Sequence, residues 1–358
     1  MGFRVVLSGL AASATALTVL ASASFAPATA AAVVIPAVPT TKTHDVRVGS
    51  FNLFGVNNDK SASGDQRPWR ERRPVIVSQI LTRHLDVVGV QEANQSSIYK
   101  SSLVDGVNQY MDLLHGLDHA GGSYALTNTN AYNCARPSSS HNCVPVDQGA
   151  SGDTRILYNT DRVSLVRQGS YEYRAQTAGK SKRYLAWAVF EMKGTGRQFL
   201  FTNTHLDPYS ASTRVAEWNE VIAEINDLKG SLPVIAVGDF NTSKFDSYAQ
   251  QMLPAMKSNG YGDVLNQQYS ESSAYGVRAK SLSRTWVNSY NGFRRDVSRY
   301  SYSTSRAKIG NDIDWVFASN ELPVRGFAVV NNMDARTLQL RGVIPSDHNL
   351  VRATIVLP

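Results

Sequence analysis

Apolar and polar positions fall into blocks along this chain, and the clearest block is Leu232 to Thr242, LPVIAVGDFNT, a nearly unbroken apolar run closing in Gly238, Asp239, Phe240 and Asn241. A run this short, rich in Val and Ile and bounded by Pro233 and Gly238, predicts a strand covered on both faces rather than a helix. Its first polar side chains then emerge at the carboxyl end, where open α/β sheets gather ligands. The plan recurs. Val46 to Phe54 ends in Ser50, Phe51 and Asn52, Val87 to Glu92 ends in Gln91 and Glu92, and Phe199 to Asp207 carries Asn203, Thr204 and His205. Asn311 to Ser319 holds Asp314, and Ser346 to Val356 opens with Ser346, Asp347, His348 and Asn349. So many polar strand ends, each with a carboxylate, amide or imidazole, predict one shared site.

Between these runs the period changes. Trp69, Val75, Ile76, Ile80 and Leu81 recur at helical spacing within Pro68 to His84, which with the strand over Asp86 to Gln91 makes a strand-helix-strand unit. A less clear helix is predicted over Ile98 to Leu117, and another over Ser212 to Leu228, its start signalled by Ser212 and Thr213. Further strands are expected at Arg155 to Tyr158, Val163 to Arg167, Leu185 to Met192 and Phe199 to Asn203. Gly55 to Arg67 reads as a surface loop near the site. Asp118 to Asp153 is too long for a simple connection and reads as a substrate-side loop. No internal repeat is present.

Composition changes the picture at the amino end. Met1 to Ala30 has a positive start at Arg4, an apolar middle and an A-x-A-like close at Ala28 to Ala30, the pattern of a secretory signal. Its Ser, Thr, Gly and Ala content weighs against the alternative, a membrane anchor. The expected organisation is a signal peptide at 1–30, a flexible Ala/Pro/Thr-rich leader at 31–43 and a single folded domain at 44–358, secreted to the outside. The formal charge of +7, with a pI near 9.3, favours polyanions but says nothing about fold. Cys134 and Cys143, in a polar loop of an exported chain, are expected to form a disulfide; the rival, a metal site with His141, is short of a ligand.

Asn52, Glu92, Asp239, Asn241, Asp314 and Asp347, with His205 and His348, make an oxygen-dominated donor set without thiolate. Such a set suits a hard divalent cation, Mg²⁺ first with Mn²⁺ or Ca²⁺ possible, and not a closed zinc site. A phosphodiester is already anionic, so its hydrolysis needs a cation on its oxygens, an aligned water and a proton for the leaving oxygen. Simpler readings stand beside these. Asn52 could cap a turn, Asp314 could be a buried acid bonded to backbone, and His205 could be a packed core histidine. His44, His84, His115, His119 and His141 read as surface or structural, and Asp207 has only a weak claim to the site.

The ordered set SFN, QE, NTHLD, GDFN, IDWVF and SDHN, from about Val46 to the end of the chain, resembles the endonuclease/exonuclease/phosphatase superfamily with its deoxyribonuclease I-like fold. The resemblance implies an α/β (α+β) protein, a four-layer sandwich of two packed mixed β-sheets flanked by helices, and a metal-dependent phosphoester hydrolase. It also implies roles. Glu92 is the principal metal ligand with Asn52 beside it, and Asp347 is a further metal-side carboxylate. Asp239 orients or deprotonates the attacking water, and Asn241 holds a phosphate oxygen. Asp314 pairs with His348, while His205 steadies the phosphate or serves the leaving group. Arg155 and Tyr158 are candidates to approach the substrate phosphate, a plain strand being the other reading.

Substrate choice rests on loops. Positive charge, export and the interleaved Arg and aromatic residues from Val277 to Lys308 favour an extracellular nuclease acting on DNA or RNA. A phospholipid or small-molecule phosphodiesterase on the same centre is the alternative, weakened because no exposed aromatic hairpin for membrane insertion is evident. A third class, a non-catalytic binding module, is disfavoured by the full complement of acidic and imidazole groups. No stable protein partner is implied.

Overall fold

The computed structural model describes residues 44–61, 64–94, 108–127, 152–265, 279–297 and 310–358. The expected signal and leader at 1–43, both cysteines, His141 and the first part of the helix predicted from Ile98 lie outside the described residues.

The first strand-helix-strand unit forms as its periodicity predicts. β1 (Asp45–Asn52) runs parallel to β2 (Val87–Gln91), with α1 (Trp69–Thr82) crossing between them. After β2 come α2 (Gln109–His119), whose start is capped by the Asn108 side chain accepting from Met111 N at 3.0 Å, then β3 (Tyr124–Leu126) and β4 (Arg155–Asn159). The chain continues through β5 (Val163–Glu172), β6 (Tyr184–Met192) and β7 (Arg197–His205) to α3 (Ala211–Lys229) and β8 (Val234–Asp239). It closes with α4 (Ser247–Ser258), β9 (Tyr261–Asp263), β10 (Ala279–Ser283), β11 (Asp314–Ser319), β12 (Val324–Val330) and β13 (Leu350–Val356). The start of α3 differs from expectation. The cap is Ser210, whose Oγ accepts from Thr213 N at 3.2 Å, while Ser212 already lies in the first turn.

Two sheets result. A seven-stranded one has the order β10-β12-β13-β1-β2-β4-β3, and a six-stranded one the order β5-β6-β7-β8-β11-β9. Val46, Val48, Val87, Ile156, Val351 and Ala353 of the first meet Ala186, Phe190, Phe201, Ile235, Val237 and Val316 of the second in a buried layer. On the outward face of the six-stranded sheet, Trp218, Val221, Ile222 and Ile225 of α3 and Met252 and Met256 of α4 cover Leu185, Leu200, Val234 and Phe317. On the outward face of the other sheet, Trp69, Ile76, Ile80, Leu113 and Leu117 of α1 and α2 cover Phe51, Val88, Val90 and Leu157. This is the helix-sheet-sheet-helix sandwich expected from the resemblance.

The sheets approach closely near the site. A Cβ on Gly89 would lie 2.5 Å from Val237 Cγ2 and 2.6 Å from Asn203 Cγ, so β2 needs glycine there. Asn203 then bridges the sheets, donating from Nδ2 to Arg155 O at 2.7 Å and Val90 O at 3.0 Å and accepting from Gln91 Nε2 at 2.6 Å. A satisfied polar bridge of this kind fixes the relative placement of two apolar layers that could otherwise slide.

Strand direction decides where the polar ends go. β1, β2, β7 and β8 present their last residues at one end of the sandwich. The β11 strand is antiparallel to β8, with Asp314 opposite Asp239, and β13 is antiparallel to β1, so both present their first residues at that same end.

Candidate active site

Asn52, Glu92, His205, Asp239, Asn241, Asp314, Asp347 and His348 come together at this end. All but Asn52 and Asp314 line a cleft of about 770 Å³, and those two sit just beneath it. The turn after β8 is clamped from below. Phe240 is fully buried, its ring 4.8 Å from that of Trp218, and Trp315 Nε1 donates to Thr242 O at 2.9 Å. Asn241 takes a left-handed backbone, φ 47°, and Glu92 does the same at φ 52° after β2. Two non-glycine residues held in this sparsely populated region at strand ends are the kind of strain that functional sites store.

Asp239 is the hub. Its Oδ1 accepts from Asn241 N at 2.9 Å and its Oδ2 from Asn52 Nδ2 at 3.1 Å. The same Oδ2 lies 3.6 Å from His205 Nε2 and 3.7 Å from His348 Nε2. On its other nitrogen, His348 Nδ1 donates to Asp314 Oδ2 at 2.8 Å. Burial pushes the Asp239 carboxyl up to about 7, opposed by the His348 charge and helped by that of Asp314. For His348 burial works against the charged ring, but Asp314 and Asp239 outweigh it and hold the imidazolium well above the usual histidine range. His205 is held well below that range by burial, with Arg183 and His348 adding to the effect, so it stands neutral.

Glu92 and Asp347 flank this chain. Glu92 Oε1 accepts from Asn52 Nδ2 and Oε2 from Gly55 N, both at 3.0 Å, while Asp347 Oδ1 accepts from Ser346 Oγ at 3.2 Å. Burial pushes the Asp347 carboxyl up to about 6, and the Glu92 charge adds to the rise. Two carboxylates converging with only oxygen donors fit a hard divalent cation. Asp239, Asp314 and His348 also offer atoms within 4.8 Å of one another. That trio does not suit a cation, because His348 Nδ1 is committed to Asp314 and the ring is positively charged. Asn52 sits beside the two carboxylates: its Oδ1 accepts from Phe54 N at 3.0 Å, and its Nδ2 bridges Glu92 and Asp239. The amide thereby orients both carboxylates.

Two expected substrate contacts fail. Arg155 is buried on the outward face of β4 with its guanidinium 4.4 Å from the Tyr110 ring centre, and Tyr158 packs in the core 5.1 Å from Phe190. Strand alternation turns Arg155 outward, Tyr158 lies opposite Val87 at the end of β2 away from the site, and Asp153 and Thr154 line the cleft instead. In the described part of the Arg and aromatic stretch, 279–297, several side chains are engaged away from the cleft. Trp286 and Phe293 pack on the core, Arg295 pairs with Asp65 at 2.8 Å, and of the described residues in that stretch Tyr290 lines the cleft. Asp207 has a structural task, its Oδ1 accepting from Tyr209 N and Ser210 N at 2.7 Å.

Other residues matter that the sequence reading passed over. Arg72, fully buried in α1, donates to Leu53 O at 2.7 Å, Phe54 O at 3.0 Å and Pro345 O at 3.0 Å, stapling the turn after β1 to the turn before Asp347. Its signal was present: Trp69, Arg72, Ile76 and Ile80 share one helical face, which puts a cation at a core position. Ser289 Oγ accepts from Ile313 N and Asp314 N, and Asn291 Nδ2 donates to Ser346 O, so one turn positions both halves of the Asp314–His348 pair. Lys182, Arg183 and Tyr209 form one wall of the cleft.

Solved structures share this architecture. A Bacteroides thetaiotaomicron endonuclease/exonuclease/phosphatase family protein superposes with a TM-score of 0.60 at 23% identity, over 88% of this chain and 98% of that one. A mannosyl-6-phosphatase from the same organism gives 0.60 at 22% identity, over 87% and 100% of the two chains. The human Nocturnin catalytic domain gives 0.53 at 19%, over 88% and 96%. Identities this low speak for the fold alone. No curated protein sequence matches the chain. The Endonuclease/Exonuclease/phosphatase family model matches residues 49–348, and the chain belongs to that family of phosphoester hydrolases.

Proposed function

We propose that this protein is a divalent-metal-dependent phosphodiesterase that hydrolyses nucleic acid, Mg²⁺ being the natural cation, and that the signal-like segment Met1 to Ala30 directs it out of the cell. Export rests on the sequence pattern alone. The observation that carries the chemistry is the Asp314–His348–Asp239 chain beside the Glu92 and Asp347 carboxylates. A cation on those carboxylates would neutralise phosphate oxygens. His348, kept charged by its two acidic neighbours, presents Nε2–H to a phosphate oxygen where negative charge builds in the transition state. Asp239 as carboxylate accepts a proton from the attacking water, and Asn241 N fixes its orientation. His205, neutral, is placed to bond the phosphate or the departing oxygen. Asn241 commits its Nδ2 to Leu206 O at 2.9 Å, and the second amide hydrogen is available to substrate.

The nucleic-acid reading is supported by the cleft walls. Tyr209 is 62% exposed and Tyr290 is 46% exposed, and both line the cleft with Arg183 and with Lys182, which pairs with Glu172 at 2.7 Å; aromatic rings beside a cation suit stacking a base or sugar while pairing a flanking phosphate. A second reading is a small phosphoester such as a sugar phosphate, favoured by the polar rim of Asn57, Asn58 and Asp153; one structural neighbour is a mannosyl-6-phosphatase. Supercoiled plasmid, RNA, mannose 6-phosphate and phospholipid vesicles, each incubated with the protein and Mg²⁺, separate these. Nicked plasmid or shortened RNA is the expected product. Turnover of the sugar phosphate or lipid with nucleic acid untouched would replace the first reading.

A further inference from the structure

We propose that Arg47, Arg83, Arg284 and Arg352, with His84 at their edge, form a binding site for a compact oxyanion of the phosphate class on the outward face of the seven-stranded sheet, apart from the catalytic cleft. The site is assembled by register. Arg352 on β13 lies between Ala328 on β12 and Gly49 on β1, and Arg47 lies opposite Thr354 on the next outward row. Both arginines point away from the inter-sheet layer, because their neighbours Val46, Val48, Val351 and Ala353 fill it. Ser283 pairs with Ala328, so Arg284, the next residue, ends β10 at the edge of the same row. Arg83 caps the carboxyl end of α1 and His84 follows it.

Charge is what singles this cluster out. Among the described residues no carboxylate pairs with the side chain of Arg47, Arg83, Arg284 or Arg352. The nearby acid, Asp86, is taken up by Arg162 Nε at 3.0 Å and by the backbone N of Arg47 at 2.8 Å. Arg47 Nη1 and Arg352 Nε are buried and have no hydrogen-bond partner. Arg284 is held by neutral oxygens, Asn331 O and Oδ1 and Met333 O. The groups also repel one another. Burial and then the charge of Arg83 depress Arg284, burial and then Arg83 and Arg47 depress Arg352, and burial and then Arg47 depress His84 against the opposing charge of Asp86, which also acts on Arg47. Guanidinium groups without a directly paired carboxylate and with buried donors unused are costly unless an anion completes them. Their planar donor forks match the oxygens of phosphate or sulfate. Arg47 precedes Asn52 by five residues, about 17 Å along an extended strand, so a compact ion here is not the phosphate undergoing hydrolysis.

The test is the response of the thermal unfolding midpoint, and of calorimetric binding, to inorganic phosphate against chloride at equal ionic strength. It is run on the wild type, on an Arg83→Gln/Arg352→Gln double variant and on His348→Ala, which reports phosphate bound in the cleft. Wild type and His348→Ala should both show a phosphate-specific rise. The double variant should lose it, with affinity weakened by about tenfold or more, while its midpoint in chloride stays level or climbs because repulsion is relieved. Arg83→Gln alone, at an exposed position, gives the same reading with part of the loss if the pair does not fold. A rise that persists in the double variant, or no phosphate-specific rise in the wild type, overturns the proposal.

Discussion

His348 Nδ1 and Asp314 Oδ2 lie 2.8 Å apart, Asp314 at the first position of β11 and His348 two residues before β13 in the other sheet, and this bond fixes both the direction and the charge of the ring that faces Asp239. An Asp314→Asn variant keeps the shape and removes the counter-charge. Its kcat should fall by roughly two to four orders of magnitude, with KM little changed, because the loss is felt where charge develops. Steady-state kinetics on a small diester measure this.

Arg72 is expected to matter to both stability and site. Arg72→Met leaves the carbonyls of Leu53, Phe54 and Pro345 and the Asp59 carboxylate without their shared cation. Breaking a buried pair in this way costs about 3 to 5 kcal/mol, which urea unfolding will show. Calorimetry on the folded variant should also find Mg²⁺ affinity lower by about 10- to 100-fold, since the turn after β1, whose Gly55 N holds Glu92, and the turn before Asp347 lose their staple.

Glu217 gives a pH signature independent of catalysis. It is buried on α3, its Oε2 accepts from Asp207 N at 2.7 Å, and burial pushes its carboxyl up to about 8. A carboxyl raised in the folded state contributes stability that is full below its unfolded value near 4.5 and is lost as pH rises through about 8. The unfolding midpoint should therefore fall by a few degrees between pH 5 and pH 9, and Glu217→Gln should flatten that slope.

For the cleft wall, Tyr209→Ala and Arg183→Gln should each raise KM for an oligonucleotide by about tenfold and leave turnover of a minimal diester nearly unchanged, because stacking and phosphate pairing act on parts of the substrate that do not react. Parallel kinetics on the two substrates decide it.

The site was legible in the sequence to the extent that strands report themselves. Buried β8 reads as a continuous apolar run, and its polar end is forced to the surface of the sandwich, so Asp239 and Asn241 stand out; Glu92, His205 and His348 do so for the same reason. Elements on the outside were harder. The α4 helix repeats Ala249, Met252 and Met256 at helical spacing, but Pro254 inside it interrupts the pattern a helix ordinarily keeps, and the short β9 and β10 edges carry few apolar residues. Arg155 misled because a cation next to a strand end looks like a phosphate contact, whereas alternation turns it toward Tyr110. The role of Asn52 depended on which of its amide atoms met which neighbour, a detail fixed only by long-range contacts with Glu92 and Asp239.

The most direct test of the catalytic account is the rate of bis-p-nitrophenyl phosphate hydrolysis by wild type, Asp239→Ala and His348→Gln, each with Mg²⁺ and with EDTA. Hydrolysis by the wild type should require Mg²⁺, stop on chelation, return when Mg²⁺ is restored, and fall by roughly two to four orders of magnitude in either variant. Hydrolysis that survives chelation, or that is undiminished in Asp239→Ala, would contradict the assignment of this cleft.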